Sequence, residues 1–452
     1  MLARPADARP PLALVRAFLP APVLDVLRTL DAAGHRSWLV GGAVRDVLLG
    51  RTRAGRDYDV ATPARPEQVM ALFRKVIPTG IEHGTVTVLQ RGTPVEVTTF
   101  RGEGAYVDGR RPSSVTFLDD VDQDLARRDF TVNALAYDPV RSAFRDPFGG
   151  RKDLRRGILR AVGDPVARFA EDGLRPLRAA RFAAQLDFTL DPATAAAIPQ
   201  ALSVASRVSA ERIGEELSRL VVAPHARQGL ELLAGTGLLA IVLPELASVG
   251  PGEREHAFDA AAAAGGELTL RLAALLHVLA LAAAPGEAAR RVSTALERLR
   301  LPGHVREGAA ALVLHHGGCL LAQEDRAQLP AGESEERRWL SRVGRARAPA
   351  VLALREADAR AVRPLARSRR ERAALRAFRA RLARLEQGRP PLSVAELALD
   401  GHAVVEILKV SSGPAVGEAL RHLLGRVLDD PRLNTRSSLT SELRSWWASR
   451  VS

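Results

Sequence analysis

The sequence has very little cysteine: Cys319 is the single one among 452 residues. One thiol excludes a disulfide framework and any zinc site built from several cysteines, and it is typical of a reducing compartment. No run of about 18 apolar residues free of charge is present, so no membrane-spanning helix is predicted. Arg4, Asp7 and Arg9 precede a short apolar stretch broken by prolines, which is unlike a signal peptide. We therefore expect a cytoplasmic protein without a membrane partner.

Acidic residues are too few to balance the basic ones. The chain has 65 Lys and Arg against 52 Asp and Glu, which gives a net charge of +13. Such an excess favours a polyanionic partner, because each phosphate that a cation neutralises releases counterions. Almost all the basic residues are Arg; a GC-rich codon bias would explain that ratio equally well, but not the net excess.

Strand-like segments are confined to about the first 150 residues. They cover 38–40, 57–60, 85–88 and 95–100, with helix-like stretches at 43–49 and 66–75. From about residue 165 onward, apolar residues recur at helical spacing, over 210–222, 267–284, 291–301, 305–314 and 375–385. Loops are predicted at 284–286, 330–332 and 388–391. The mixed order predicts an α+β or α/β N-terminal domain with only helices after it, and we take α+β, with a mixed sheet and helices in the N-terminal domain, as the fold class.

A glycine pair lies between the first strand-like segment and the first helix-like one. Gly41 and Gly42 would let the backbone approach a phosphate, and the helix start would offer unpaired N–H groups to that anion. Arg45, one turn further on, could add a bidentate contact. Taken alone, a glycine pair is more often a simple tight turn.

The Asp57-Tyr58-Asp59 segment is more informative. Residues i and i+2 of a strand point to the same face, so Asp57 and Asp59 would present their carboxylates side by side. Like charges this close repel unless a cation lies between them, which suits Mg²⁺ and its oxygen ligands. If its strand lies next to this one, Glu96 would complete a three-carboxylate cluster of the kind that holds two metals for in-line attack on phosphorus. Exposed acids on an edge strand are the alternative.

Two later segments combine acids with arginines. The first contains Arg127, Arg128, Asp129 and Asn133, which suit phosphate and ribose. The second contains Asp172, Arg175, Arg178 and Arg181, spaced three residues apart. On a helix this spacing makes one slowly drifting polar stripe, able to offer an acceptor and donors to a base edge. A solvated, salt-bridged helix face has the same spacing and remains the alternative.

These motifs occur in one order, together with others between about residues 38 and 185. They are Val-Gly-Gly-Ala-Val-Arg-Asp at 40–46, Asp-x-Asp at 57–59, His-Gly-Thr-Val at 83–86, Glu-Val-Thr-Thr-Phe-Arg at 96–101, Arg-Arg-Asp-Phe-Thr-x-Asn-Ala at 127–134, Asp-Pro-Phe-Gly-Gly at 146–150 and Glu-Asp-x-x-Arg-x-x-Arg at 171–178. In this order they resemble the class II tRNA nucleotidyltransferases (CCA-adding enzymes) and the bacterial poly(A) polymerases. Segments at 400–401, 413–417 and 430–434 fit the family's tail, so the resemblance extends over most of the chain.

The resemblance implies a domain order and a role for each matching residue. The segments would be an N-terminal extension at 1–22, a catalytic nucleotidyltransferase head at 23–150, a neck with the nucleotide-selecting helix at 151–225, a helical body with a degenerate phosphohydrolase-like region at 226–345, and an RNA-binding helical tail at 346–452. Asp57 and Asp59 match the metal-binding catalytic acids, for which two Mg²⁺ are expected, and Glu96 matches a nearby acid. The nucleotide-binding positions match Gly41, Gly42, Arg45, Asp46, Arg127, Arg128, Asp129, Asn133, Asp172, Arg175, Arg178 and Arg181.

The implied activity is template-independent addition of C and A to the 3′ end of tRNA. CTP and ATP would be the substrates, Asp172 and Arg175 would select the base, and the 3′ end and acceptor region of tRNA would be bound. No obligate protein partner is inferred. The His83-Gly84-Thr85-Val86 segment and a loop at 104–112, rich in glycine and polar residues, favour CCA addition. Poly(A) synthesis, CC-only or A-only addition, and a non-catalytic RNA-binding protein remain alternatives.

Two features depart from the family's pattern. Pro176 lies inside the predicted selecting helix, which tolerates it only in a first turn or at a kink. Some relatives carry a phosphohydrolase domain marked by a His-Asp pair, whereas here Val278 follows His277. His315-His316 and Asp358 stand further along the chain. We predict that His277 is a core histidine, and we predict neither a metal site nor hydrolase activity there.

Overall fold

The computed structural model describes residues 9–15, 19–51, 58–103, 115–281, 283–317, 319–320 and 329–451. Asp57 and the predicted loop at 104–112 lie outside these residues. The chain divides into two compact units, Met1–Ala247 and Ser248–Ser452. The finer division into five segments stays a prediction. In the part of the chain that the structure describes, no helix is long and apolar enough to cross a membrane.

A mixed sheet organises the N-terminal unit. The strands of the unit are β1 Trp38–Val40, β2 Asp59–Thr62, β3 Val76–Gly80, β4 Thr85–Gln90, β5 Thr93–Thr99, β6 Arg101–Glu103, β7 Val115–Phe117, β8 Ala136–Asp138, β9 Ala143–Arg145, β10 Ile158–Leu159 and β11 Thr189–Leu190. Seven of these described strands form one sheet in the order β3-β4-β5-β2-β1-β8-β9. Within this sheet β2 and β5 run parallel, while the other neighbours are antiparallel.

The alternation along β4 and β5 decides which side chains face the core. Val86, Val88, Val95 and Val97 are all at most 1% exposed, because every second residue of a strand points to the same face. The residues between them, among them Glu96, therefore point to the opposite face. The predicted strands at 85–88 and 95–100 are thus confirmed, and the structure shows that they are neighbours in the sheet.

Some helices of this unit pack against the sheet, and others follow it along the chain. They are α1 Leu12–Val15, α2 Ala21–Ala32, α3 Gly42–Leu48, α4 Pro66–Leu72, α5 Val121–Ala126, α6 Gly150–Arg156, α7 Pro165–Glu171, α8 Leu174–Leu186, α9 Pro192–Ala197, α10 Leu202–Ala205, α11 Ala210–Val221, α12 Ala226–Gly235, α13 Leu239–Val242 and α14 Pro244–Ala247. Because α8 begins at Leu174, Pro176 lies in its first turn, where a missing N–H breaks no helical hydrogen bond. The helix is therefore compatible with this proline.

The second unit is helical in its described residues, as the apolar spacing predicts. Its helices are α15 Pro251–Ala263, α16 Leu268–Leu276, α17 Pro285–Arg298, α18 Gly303–His315, α19 Glu333–Val343, α20 Ala348–Ala361, α21 Leu365–Gln387, α22 Gly401–Leu408, α23 Pro414–Asp429 and α24 Arg436–Val451. The loop prediction at 284–286 is wrong, because Pro285 opens α17, a position that suits proline's fixed φ. The arginine-rich α21 buries Leu375, Phe378 and Leu382 along one side.

Candidate active site

A cleft of about 730 Å³ in the N-terminal unit collects most of the candidate residues. Its lining includes Gly41, Gly42, Arg45, Asp46, Asp59, Glu96, Arg127, Arg128, Asp129, Asn133, Asp172, Arg175 and Arg178. Segments far apart in the sequence thus contribute to one polar surface. Two predicted residues are missing from this list: Asp57, which the structure does not describe, and Arg181.

Two acidic residues lie on neighbouring parallel strands at the edge of the cleft. Asp59 opens β2, and its register partner on β5 is Glu96. Asp59 is half-buried and Glu96 is exposed. The condition under which Glu96 would join the acid cluster, that its strand lies next to the Asp-x-Asp strand, is therefore met. Because both side chains offer hard oxygen ligands to the same cleft, these residues fit a divalent ion such as Mg²⁺.

Gly41 is required by the close approach of other groups to the turn between β1 and α3. Its φ of +68° is a conformation that residues with a Cβ rarely adopt. A Cβ at this position would lie 2.7 Å from Nη1 of Arg128 and 3.6 Å from Oδ2 of Asp59. The first glycine of the predicted pair therefore makes room for an arginine and an acid that line the cleft.

The two adjacent arginines are held by Asp124, a residue that the sequence analysis did not single out. Arg127 donates from Nε and Nη2 to Oδ1 of Asp124, at 2.9 and 2.8 Å. Nη2 of Arg128 lies 3.5 Å from the other carboxylate oxygen. Burial alone would raise the pKa of Asp124, but the two guanidinium groups lower it below its ordinary value. Asp124 is thus a buried anion that fixes both cations at the wall of the cleft.

A chain of hydrogen bonds connects α3 with α8 across the cleft. Arg45 donates to Oδ1 of Asn133 at 2.7 Å, and Nδ2 of Asn133 donates to Oδ1 of Asp129 at 3.0 Å. Arg178 donates from Nε to Oδ2 of Asp129 at 2.7 Å. Asp129 is 7% exposed. Burial would raise its pKa, but Arg178, Asn133 and the Phe130 N–H together lower it to about 2. Asp129 is therefore ionised over the whole physiological range.

The start of the arginine stripe is built by a turn rather than by a helix. Asp172 has extended backbone after α7, and its Oδ1 accepts the N–H of Leu174 at 3.0 Å. Its Oδ2 accepts a hydrogen bond from Nη2 of Arg212 at 2.9 Å. Arg175 is 6% exposed and donates to the carbonyls of Arg168 and Arg127, at 2.8 and 3.0 Å. These contacts fix both residues at the cleft.

The structure does not bring the last arginine of the stripe to the cleft. Arg181 is 6% exposed, and its Nε donates to Oε2 of Glu216 on α11 at 2.5 Å. Its guanidinium lies 4.0 Å from the centre of the Phe182 ring. Phe182 itself lines the cleft and is a further residue that the sequence analysis left without a role. Its position four residues after Arg178, on the same helix face, is the signal that could have identified it.

Comparison with known families and proteins agrees with this geometry. The Poly A polymerase head domain family matches residues 37–160, which contain the sheet and both acids. A second family, described as the probable RNA and SrmB-binding site of polymerase A, matches residues 187–249. The fold and cleft therefore define a polymerase-type nucleotidyltransferase head followed by helices.

Individual relatives extend the likeness. The chain is 49% identical over 215 residues to the CCA-adding enzyme of Lactobacillus helveticus, and 49% identical over 224 residues to that of Geobacillus stearothermophilus. These alignments cover 48% and 50% of this chain, and 53% and 54% of the relatives. The matched region thus spans about half the length of these curated relatives.

The crystal structure of the Bacillus stearothermophilus CCA-adding enzyme in complex with CTP matches 96% of this chain and 99% of its own, with 33% identity and a TM-score of 0.76. The chain belongs to the family of the class II tRNA nucleotidyltransferases and bacterial poly(A) polymerases.

Proposed function

We propose that this protein adds C and A to the 3′ end of tRNA, taking the nucleotides from CTP and ATP and releasing pyrophosphate. One observation carries the proposal: Asp59 and Glu96 share a single cleft with Asp172 and Arg175. Carboxylates for nucleotidyl transfer and a side-chain pair for choosing a base are what a polymerase without a nucleic-acid template needs. The full-length match to an enzyme whose structure is described as a complex with CTP supports the same activity.

The arginines of the cleft would bind the triphosphate. Arg127 and Arg128 are oriented by Asp124, and Arg178 is oriented by Asp129. Because buried carboxylates already hold these guanidinium groups, little reorganisation is needed when the polyanion arrives. A planar guanidinium also matches the geometry of phosphate oxygens better than an ammonium group does.

Asp172 and Arg175 would choose the base. Oδ1 of Asp172 accepts a hydrogen bond from the Leu174 N–H, and Oδ2 accepts one from Arg212. A carboxylate oxygen has a second lone pair for an incoming donor. On cytosine and on adenine, an exocyclic amino group, which donates, lies next to an unprotonated ring nitrogen, which accepts. An acceptor beside a guanidinium suits that pattern, whereas guanine and uracil present the opposite one.

In the transfer step, the 3′-hydroxyl oxygen of the RNA attacks the α-phosphorus in line. The bond to the β-phosphate oxygen breaks and pyrophosphate leaves. Asp59, Asp57 and Glu96 would hold two Mg²⁺, which supply charge neutralisation at the triphosphate and make the attacking hydroxyl more acidic. The side chains of the cleft position the nucleotide, so no covalent enzyme intermediate is required. Since tRNA is the substrate, we infer a cytoplasmic site of action.

Labelled CTP or ATP, offered with three RNAs, tests the proposal. The RNAs are a tRNA that ends at the discriminator base, the same tRNA ending in CC, and an unrelated RNA. We expect the first to gain C, C and A, the second to gain A, and the third to gain nothing. Long A tails on every RNA would instead indicate a poly(A) polymerase. Addition that stops after CC, or only of the final A, would indicate a partial enzyme, and no incorporation would indicate an RNA-binding protein.

The role of the acids is tested separately with Asp59→Asn and Asp57→Asn. Loss of a metal-binding carboxylate should lower incorporation about a thousand-fold or more, with tRNA binding retained. Asp119→Asn is the matched control, because Asp119 is exposed and does not line the cleft. Full activity in Asp59→Asn would refute the assignment.

A further inference from the structure

A second cluster of ligating side chains lies in the C-terminal unit, apart from the cleft. It consists of His256, His277, Cys319 and Asp358, and their ligand atoms all lie within 4.8 Å of one another. All four residues are at most 4% exposed. Four segments of chain meet here, since His256 belongs to α15, His277 follows α16, Cys319 follows α18 and Asp358 belongs to α20. The sequence prediction of a plain core histidine at His277 does not account for this convergence.

We propose that His256, His277, Cys319 and Asp358 form a structural zinc site. The distances suit it. The two histidine Nε2 atoms lie 3.2 Å apart, and Cys319 Sγ lies 3.2 Å from Nε2 of His277. With Zn–N of about 2.0 Å and Zn–S of about 2.3 Å, tetrahedral geometry requires about 3.3 Å between two nitrogens and about 3.5 Å between nitrogen and sulfur. Oδ1 of Asp358 lies 2.8 Å from His256 Nε2 and 3.6 Å from His277 Nε2.

A backbone carbonyl orients the ring of His277. Its Nδ1 lies 2.6 Å from the carbonyl of Ala274, to which an Nδ1–H can donate. In the neutral ring this leaves a lone pair on Nε2, directed at the other three ligands. A ligating histidine that donates its second nitrogen to a backbone carbonyl is the usual arrangement around a bound metal. Asp358 is oriented in the same way, because its Oδ2 accepts the N–H of Leu320 at 3.1 Å.

Hydrogen bonds alone cannot satisfy all the polar atoms of this cluster. Three partner atoms approach Nε2 of His277, whereas one ring nitrogen can make one hydrogen bond along its axis. A divalent ion at the centre of the cluster would give each of the four ligand atoms its own bond.

The ligand types identify the ion and its role. One thiolate, two imidazoles and one carboxylate suit Zn²⁺ better than Mg²⁺, which prefers oxygen ligands. Four protein ligands fill a tetrahedron, so this buried site keeps no position for a substrate and is structural rather than hydrolytic. Binding converts the Cys319 thiol to a thiolate and releases its proton to solvent. His316 is not one of the four ligands. Its Nε2 lies 3.1 Å from Oδ2 of Asp358, the carboxylate oxygen that does not face His256.

Cobalt substitution in the full chain tests the proposal directly. The protein is stripped of metal with a chelator and then titrated with Co²⁺ alone. We expect the intense visible bands of tetrahedral Co²⁺ and a near-ultraviolet band from sulfur-to-metal charge transfer. Because Cys319 is the chain's one cysteine, that second band can come from no other side chain. Its absence in the wild-type protein would overturn the proposal, whatever the variants do.

Variants and zinc content complete the test. Cys319→Ser should abolish the charge-transfer band and weaken zinc binding at least about 100-fold. His315→Gln, next to the cluster but outside it, and Asp59→Asn in the cleft should both retain the band and one zinc per chain. Chelation should lower the melting temperature by on the order of 10 °C, restored by Zn²⁺ and not by Mg²⁺. A wild-type protein that contains no zinc and melts at the same temperature as Cys319→Ser would show a metal-free buried network instead.

Discussion

At the scale of single residues, the positioning of Asp172 depends on a partner 40 positions away. Arg212 on α11 donates to the Oδ2 atom at 2.9 Å, while the backbone N–H of Leu174 holds Oδ1. Neither contact was deducible from the sequence, because the three-residue spacing of the stripe contains no information about a neighbouring helix. Asp172 and Arg175 were predicted as a pair, but the groups that hold them were not.

We expect Arg212→Gln to weaken base selection without abolishing catalysis. Loss of a charged hydrogen bond of about 1.5 kcal/mol should leave Asp172 less well oriented, so discrimination of CTP and ATP against UTP and GTP should fall about tenfold. The measurement is kcat/KM for each nucleotide with tRNA in excess. Arg219→Gln, an exposed arginine of the same helix, is the control and should match the wild type. If both variants discriminate between the nucleotides equally well, Arg212 has no role in base selection.

Asp129 should make the N-terminal unit sensitive to acid. Its pKa of about 2 lies below the ordinary value of 3.8, so its stabilising effect is complete above about pH 4 and is lost as the pH falls towards 2. The shift corresponds to about 2–3 kcal/mol. Asp129→Asn should therefore lower the urea midpoint most at neutral pH, with a difference from the wild type that shrinks on acidification.

Fluorescence of Trp38 provides the measurement for this unit. The other tryptophans, Trp339, Trp446 and Trp447, all belong to the second unit and can be replaced by Phe. Asp119→Asn in the same background controls for the loss of an exposed carboxylate. A difference between Asp129→Asn and its parent that does not depend on pH would contradict the ionised state of Asp129.

At the scale of elements, the strands were easier to predict than their order. Period-two alternation identifies β4 and β5, but it says nothing about which strands become neighbours. The adjacency of β2 and β5, on which the role of Glu96 depends, arises from pairing across 37 residues. The short β8 and β9 are fully or mostly buried and lack alternation, so they gave no signal. The cluster around His277 was missed because its ligands come from four segments that are far apart in the sequence.

The turn between β1 and α3 offers a prediction with a close internal control. Gly41 and Gly50 have nearly the same φ, +68° and +67°, but a Cβ on Gly50 meets nothing within 4 Å, whereas one on Gly41 meets Arg128. Gly50→Ala should lose about 1–2 kcal/mol of stability from the positive φ, and Gly41→Ala should lose more, because the ψ of −132° at Gly41 lies outside the left-handed helical region. Gly41→Ala alone should also raise KM for the nucleotide about tenfold, because Arg128 must move. Steady-state kinetics and thermal melting separate the two effects, and equal KM values would contradict the steric role.

At the scale of the whole molecule, the net charge of +13 indicates a polyanionic partner but does not locate its contact surface. The cleft accounts for several of the arginines. In α21, by contrast, Leu375, Phe378 and Leu382 are buried, while Arg369, Arg370 and Arg376 are exposed. This arrangement fits two interpretations: a solvated helix, or an RNA-facing surface in the predicted tail.

Salt dependence of tRNA binding distinguishes these two interpretations. If α21 contacts phosphates, the triple variant Arg369→Gln, Arg370→Gln and Arg376→Gln should bind tRNA more weakly. The slope of log Kd against log salt concentration should then decrease by about 2 to 3, close to one released counterion per lost contact. The control removes the same charge from α17, where Arg290, Arg291 and Arg298 are also exposed. An effect of general charge would reduce the slope equally in both variants, whereas a local RNA contact would change it only in α21. An unchanged slope in the α21 variant would establish it as a solvated helix and leave tRNA binding to other surfaces.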